Sequence, residues 1–135
     1  MEIGALVERV AALETRLRVT VASSQKVTLR ADSAQLEQLL INLIRNAVDA
    51  SLETKGAVEV TWQRHSGQLI VSVRDEGLGL ASSANLFVPF FTTKGSGSGI
   101  GLVLSRQIAE AHGGSVTLEN RNERSGCEAK LILPL

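Results

Sequence analysis

From Ser33 to Ser51 the chain reads SAQLEQLLINLIRNAVDAS. At about 100° per residue, Leu36, Leu39, Leu40, Leu43, Ile44 and Ala47 fall on one side of a helix. Asp32, just before the run, is a suitable N-cap, so the spacing predicts a helix over 33–51. An apolar stripe of this length needs a second layer to cover it. The flanking segments say what that layer is. AVEVTW (57–62) and LIVSVRD (69–75) alternate apolar and polar residues and face each other across Ser66-Gly67, the signature of a β-hairpin. SVTLEN (115–120) and EAKLILPL (128–135) form a second strand pair. A helix layer over a strand layer is a two-layer α/β sandwich.

The remaining segments fit that plan. Leu6, Val10, Leu13 and Leu17 recur at helical spacing and predict a helix over about 3–15. RLRVTVA (16–22) and KVTLRA (26–31) alternate and read as a strand pair around Ser23–Lys26. A third helix is expected over about 100–112, closed by Gly113-Gly114. The expectation is an α/β fold with a mixed, mainly antiparallel sheet of about five strands against about three helices.

At 135 residues the chain fits one domain, 1–135, and 44% apolar residues suffice for a core. Fourteen basic residues balance fourteen acidic ones, which removes the general basic field of a nucleic-acid binder. No apolar run reaches the roughly 18 residues of a membrane span, so no direct membrane insertion is expected. Cys127 is alone and leaves no internal disulfide.

Three features carry chemistry. The first is the other face of the long helix, where Gln35, Gln38, Asn42, Arg45, Asn46 and Asp49 form a polar stripe. An ordinary solvated face would favour Glu, Lys or Arg over mid-helix Asn. Asn42, Asn46 and Asp49 point short oxygen-bearing side chains the same way. They suit a hard cation that keeps most of its waters and shares a phosphate, which is Mg²⁺ carried by a nucleotide. The second is DEGLGL (75–80). It reads either as a turn with a capping Asp or as a carboxylate poised to accept from an exocyclic amine, with glycines that admit a flat base. The third is the glycine series Gly95, Gly97, Gly99 and Gly101, directly before the third helix. It fails both the dinucleotide fingerprint and the P-loop pattern. It reads as a plain surface loop or as a lid beside a helix N-terminus able to hold an anion.

LINLIRNAVDAS, DEGLGL, LFVPFFTTK and GSGSGIGL occur in that order. Together they resemble the N, G1, F and G2 boxes of the ATP-binding catalytic domain of bacterial sensor histidine kinases, in the GHKL superfamily that includes DNA gyrase and mismatch-repair ATPases. AEAHGGSVTLEN and the closing LILPL look like the family's ending, so the resemblance covers about residues 30–135. PFFTTK looks like the nitrogen-regulation class.

The resemblance implies ATP and Mg²⁺ as ligands, with Asn46 as the metal ligand and Asp75 as acceptor of the adenine amine. Gly77 and Gly79 would shape the base pocket. Gly97, Ser98, Gly99, Gly101 and Leu102 would wrap the phosphates in a lid that Phe90 and Phe91 anchor, within an adenine loop and lid spanning 75–102. Lys94, and secondarily Arg45, are the candidate cations for the terminal phosphate. The implied module is cytoplasmic, its parent kinase either free or anchored in the inner membrane.

Departures from the family pattern sharpen the reading. The superfamily's hydrolases carry a general-base Glu where this chain has Asn42, which cannot take a proton. Many members carry a Lys where this chain has Asp49. The span from Asp75 to Pro89 is about two residues shorter than the family pattern, which implies a lid helix that is reduced or absent. Neither His65, beside a hairpin turn, nor His112, at a helix end, sits in a phosphoacceptor context. The reading is a catalytic module donating to a histidine on a separate phosphoacceptor and dimerisation domain, and through it to a response regulator. A nucleotide-driven switch ATPase and a non-catalytic interaction domain are the alternatives.

Overall fold

Asp32 starts the long helix as expected: its carboxylate accepts from the Gln35 amide at 2.9 Å and caps α2, Ser33–Thr54. The computed structural model describes residues 1–23, 25–77, 100–121 and 126–135. These form three helices and one five-stranded sheet. Around α2 lie α1 (Ile3–Leu13), β1 (Val19–Val21), β2 (Val58–His65), β3 (Gln68–Arg74), α3 (Ile100–Ala111), β4 (Ser115–Asn120) and β5 (Cys127–Pro134). The strand order is β1-β2-β3-β5-β4. β1 runs parallel to β2, and every other neighbouring pair is antiparallel. This is the mixed α/β sandwich that the patterns predict.

The core lies between the layers. Leu36, Leu39, Leu40, Leu43, Ile44 and Ala47 of α2 are all buried. Alternate residues of the strands meet them: Val58, Val60 and Trp62 from β2, Leu69, Val71 and Val73 from β3, and Ala129, Leu131 and Leu133 from β5. The β2–β3 connection turns at Ser66 and Gly67, with φ of 51° and 75°. Two positive φ values in a two-residue loop match the right-handed twist of the strands.

Two boundaries and one pairing differ from expectation. α2 continues one turn past Ser51 and stops where Lys55 adopts a left-handed conformation ahead of Gly56. α1 stops at Leu13, two residues early, because Glu14 leaves helical geometry and its carboxylate accepts from the Arg16 amide. The expected pairing of 16–22 with 26–31 does not form. Val19–Val21 instead pairs in parallel with Val58–Val60, with α2 as the crossover between them. The 26–31 segment lies against the N-terminus: Ile3 N donates to Val27 O at 3.0 Å and Leu29 N to Met1 O at 2.9 Å. The alternation in KVTLRA correctly marks Val27 and Leu29 as buried, but alternation records which side chains face inward and not which backbone lies alongside.

α3 ends as expected at a glycine of φ 77°, Gly113, with Gly114 N returning to Ala109 O at 2.8 Å. His112 ties this end to the start of α2. One ring nitrogen, Nδ1, bonds Ile108 O at 2.9 Å, and the other, Nε2, accepts from Asp32 N at 3.2 Å. No described helix is long and apolar enough to cross a membrane.

Candidate nucleotide site

The polar stripe of α2 is partly exposed. Asn42, Asn46 and Asp49 are half-buried, and Gln35, Gln38 and Arg45 are exposed. The Asn42 carbonyl oxygen accepts from Gln38 Nε2 at 3.0 Å, one turn away. Arg45 turns to the α1 side, where it lines a cavity of about 360 Å³ with Val10, Leu13, Ile41 and Ile44.

Asp49, the acid at the position where many relatives of the resembled family carry Lys, accepts from Arg16 at 2.6 Å. Arg16 simultaneously grips both oxygens of Glu14, at 3.0 and 3.1 Å. A cation from the α1–β1 connection thus offsets the charge of Asp49. The hydrogen bonds from Arg16 hold the Glu14 carboxyl below its ordinary value, and the two carboxylates push the Arg16 guanidinium further up. Because the folded-state value of Glu14 is depressed, its contribution to stability is present above about 4.5, the unfolded value, and is lost as pH falls through the folded value. Arg16→Gln is therefore expected to lower stability at neutral pH, and with it the melting temperature, by the small amount (about 0.2–1 kcal/mol of folding free energy) typical of exposed pairs. The gap from the parent should close as pH falls below about 4.5. Melting curves of both proteins across that range check this, and a gap that stays constant with pH would refute it.

Asp75 follows directly on β3, the central strand, and is only 5% exposed. Its Oδ1 accepts from Gly77 N and from Cys127 N, both at 3.0 Å. Its own amide donates to Cys127 O at 2.9 Å, which extends the ladder onto β5. Arg121 donates to the Asp75 carbonyl at 3.0 Å. A buried carboxylate tolerates this setting because backbone N–H groups satisfy it. Gly77 lies so close to Ala50 that a Cβ there would come within 2.8 Å of the alanine methyl. Ala50 is one turn beyond Asn46 on the same side of α2. The loop carrying the carboxylate therefore rests on the helix beside the asparagine stripe, so Asp75, Gly77 and Asn46 belong to one region. The bond pattern supports the capping role of Asp75 as well as its burial.

Gly101 and Leu102 fall in the first turn of α3, which begins at Ile100. Gly79, Phe90, Phe91, Lys94, Gly97, Ser98 and Gly99, with the lid reading they carry, lie outside the described residues.

Several neighbours of the site have no signal of their own in the sequence. Arg16, Arg121 and Cys127 reach it from distant segments, so only the folded backbone reveals them. Ser51 did carry a signal. It sits on the apolar side of the helical wheel, is fully buried, and its hydroxyl accepts from Glu76 N at 3.0 Å. A hydroxyl on a core-facing arc implies a specific partner.

Residues 31–135 match the family described as histidine kinase-, DNA gyrase B- and HSP90-like ATPase. The chain is 39% identical over 110 residues to the signal transduction histidine-protein kinase AtoS of Escherichia coli K12, covering 79% of this chain and 18% of AtoS. The chain thus spans about a fifth of that relative's length. Among solved structures, the catalytic domain of the histidine kinase ThkA superposes with a TM-score of 0.86 at 30% identity, covering 99% of this chain and 93% of that one. Full-length ShkA in complex with AMPPNP superposes equally well, at 0.86 and 29% identity, covering 99% of this chain and 30% of ShkA. On the family match and the shared fold, the chain belongs to the histidine kinase-, DNA gyrase B- and HSP90-like ATPases, in the form found as the catalytic domain of sensor histidine kinases.

Proposed function

We propose that this chain binds Mg²⁺-ATP and presents the γ-phosphoryl group to a histidine on a separate helical hairpin, from which it passes to a response regulator. The observation that carries the reading is the buried Asp75 carboxylate, held by two backbone amides and resting beside the asparagine stripe of α2. A fixed acceptor of this kind selects a ligand that brings an amine, as adenine does. Support comes from ShkA, whose structure contains AMPPNP.

The donor set also fits the metal. Among the described residues no cluster of three His, Cys, Asp or Glu forms a cage. Mg²⁺ needs none, since it keeps several waters and binds through few protein oxygens plus substrate phosphates. The amide oxygen of Asn46 would hold it, with Asn42 alongside. When bound, the ion supplies positive charge to the phosphate oxygens. Gly77 and Gly79 would border the base, and Gly97, Ser98, Gly99, Gly101 and Leu102 would enclose the phosphates, with Phe90 and Phe91 securing that enclosure. Lys94 is the candidate cation for the terminal phosphate, with Arg45, which lines the cavity on the α1 side, as the second. Asn42 offers no base, and water is left unactivated. Phosphoryl transfer rests on positioning a nucleophile in line and on neutralising charge. The nucleophile is the partner's histidine, and the module works in the cytoplasm.

The test uses labelled ATP. The chain alone should bind ATP and carry no acid-labile phosphate, and adding the phosphoacceptor hairpin of its parent kinase should put label on the hairpin. Steady release of ADP by the chain alone would favour a switch ATPase, and absence of binding would favour a non-catalytic interaction domain.

A further inference from the structure

Glu76 is held at three separate polar groups. Its N–H donates to Ser51 Oγ at 3.0 Å, its carbonyl accepts from Thr54 Oγ1 at 2.7 Å, and its Oε1 accepts from Ala57 N at 2.7 Å. Ser51 Oγ in turn donates to Ala57 O at 3.1 Å. Ser51 and Thr54 belong to the last turn of α2, and Ala57 directly precedes β2. A Cβ on Gly56 would collide with Glu76, so the chain passes this point with no spare room. The carboxylate sits beside a helix C-terminus, where the helix dipole opposes negative charge. Its place is therefore set by the specific bond to Ala57 N and not by the local field.

Glu76 stands between Asp75 and Gly77, and the helix that clamps it is the one that carries Asn46. We propose that Glu76 is a positioning residue that fixes the spacing between the base-reading Asp75 and the metal-binding face of α2, so that both ends of one nucleotide are met at once. This rests on the nucleotide reading above. A rigid link of this kind strengthens binding of the whole ligand by pre-organisation, while each end alone is bound as before. Glu76 itself touches neither end.

Titration calorimetry on the 135-residue chain with AMP in the absence of Mg²⁺, and with Mg²⁺-ATP, separates the two effects. For Glu76→Ala, Mg²⁺-ATP affinity is expected to fall about tenfold while AMP affinity changes less than about twofold. Glu76→Gln keeps the acceptor for Ala57 N and should stay within about twofold of the parent for both ligands. Glu76→Ala keeps the two backbone bonds and removes the carboxylate bond to Ala57 N, whereas Thr54→Val keeps the side-chain shape and removes the neutral bond to the Glu76 carbonyl, so it should show the same selective loss in weaker form, and it carries the comparison if Glu76→Ala does not fold. Equal losses for AMP and Mg²⁺-ATP, no loss in either, or a Glu76→Gln that behaves like Glu76→Ala would each overturn the proposal. Failure of the unmodified chain to bind either nucleotide would sink the nucleotide reading itself, and is seen before any variant is made.

Discussion

Asp75→Asn is expected to lower ATP affinity at least about tenfold while leaving the fold intact, because a charge-assisted hydrogen bond worth roughly 1.5–3 kcal/mol is lost. The geometry makes the loss directional. Oδ1 serves both Gly77 N and Cys127 N, so the asparagine must keep its carbonyl oxygen in that place. Its NH₂ then occupies the other carboxylate position, where a donor would face the adenine amine. Titration with a fluorescent ATP analogue, beside circular dichroism, reads both effects. Unchanged affinity in a folded variant would show that Asp75 only caps its loop.

The largest expected loss of stability is at Gly126. Its φ of 135° is a glycine conformation, and a Cβ there would run into the carbonyl oxygen of Asp75. Gly126→Ala combines backbone strain with overpacking, each costing about 1–3 kcal/mol. Gly67→Ala is the matched control: its φ is 75° and nothing lies within 4 Å of the added methyl, so strain acts alone. Urea unfolding should place Gly126→Ala well below Gly67→Ala. ATP affinity should also fall in Gly126→Ala under conditions where it remains folded, since the clash is with Asp75 itself. Equal midpoints for the two variants would mean that the strand end yields freely.

Much of the fold was legible because its signals are local. The apolar arc of α2, the Asp32 cap and the Ser66-Gly67 turn each involve residues within a few positions of one another. The partner of 26–31 was not legible, since Val27 and Leu29 would be buried equally well against either neighbour. The parallel pairing of β1 with β2 had a signal in the helix that separates them, because a crossover of that length permits it. At the site, Asn46 and Asp75 stand out as residue types that their elements disfavour. Arg16 does not, since an exposed arginine in a loop is unremarkable until the fold brings it 2.6 Å from Asp49 across 33 residues of chain.

The bond between His112 and Asp32 bears on where phosphate can go. An imidazole becomes phosphorylated through the lone pair of a ring nitrogen. In His112, Nε2 turns its lone pair to the Asp32 amide, so Nδ1 must carry the proton that it gives to Ile108 O. Neither nitrogen faces an incoming phosphorus with electrons to offer. The same bond links the C-terminal end of α3 to the start of α2. Under the proposed function, a histidine whose two ring nitrogens are both engaged in this way is a poor phosphate acceptor, and the chain alone should carry no label at His112.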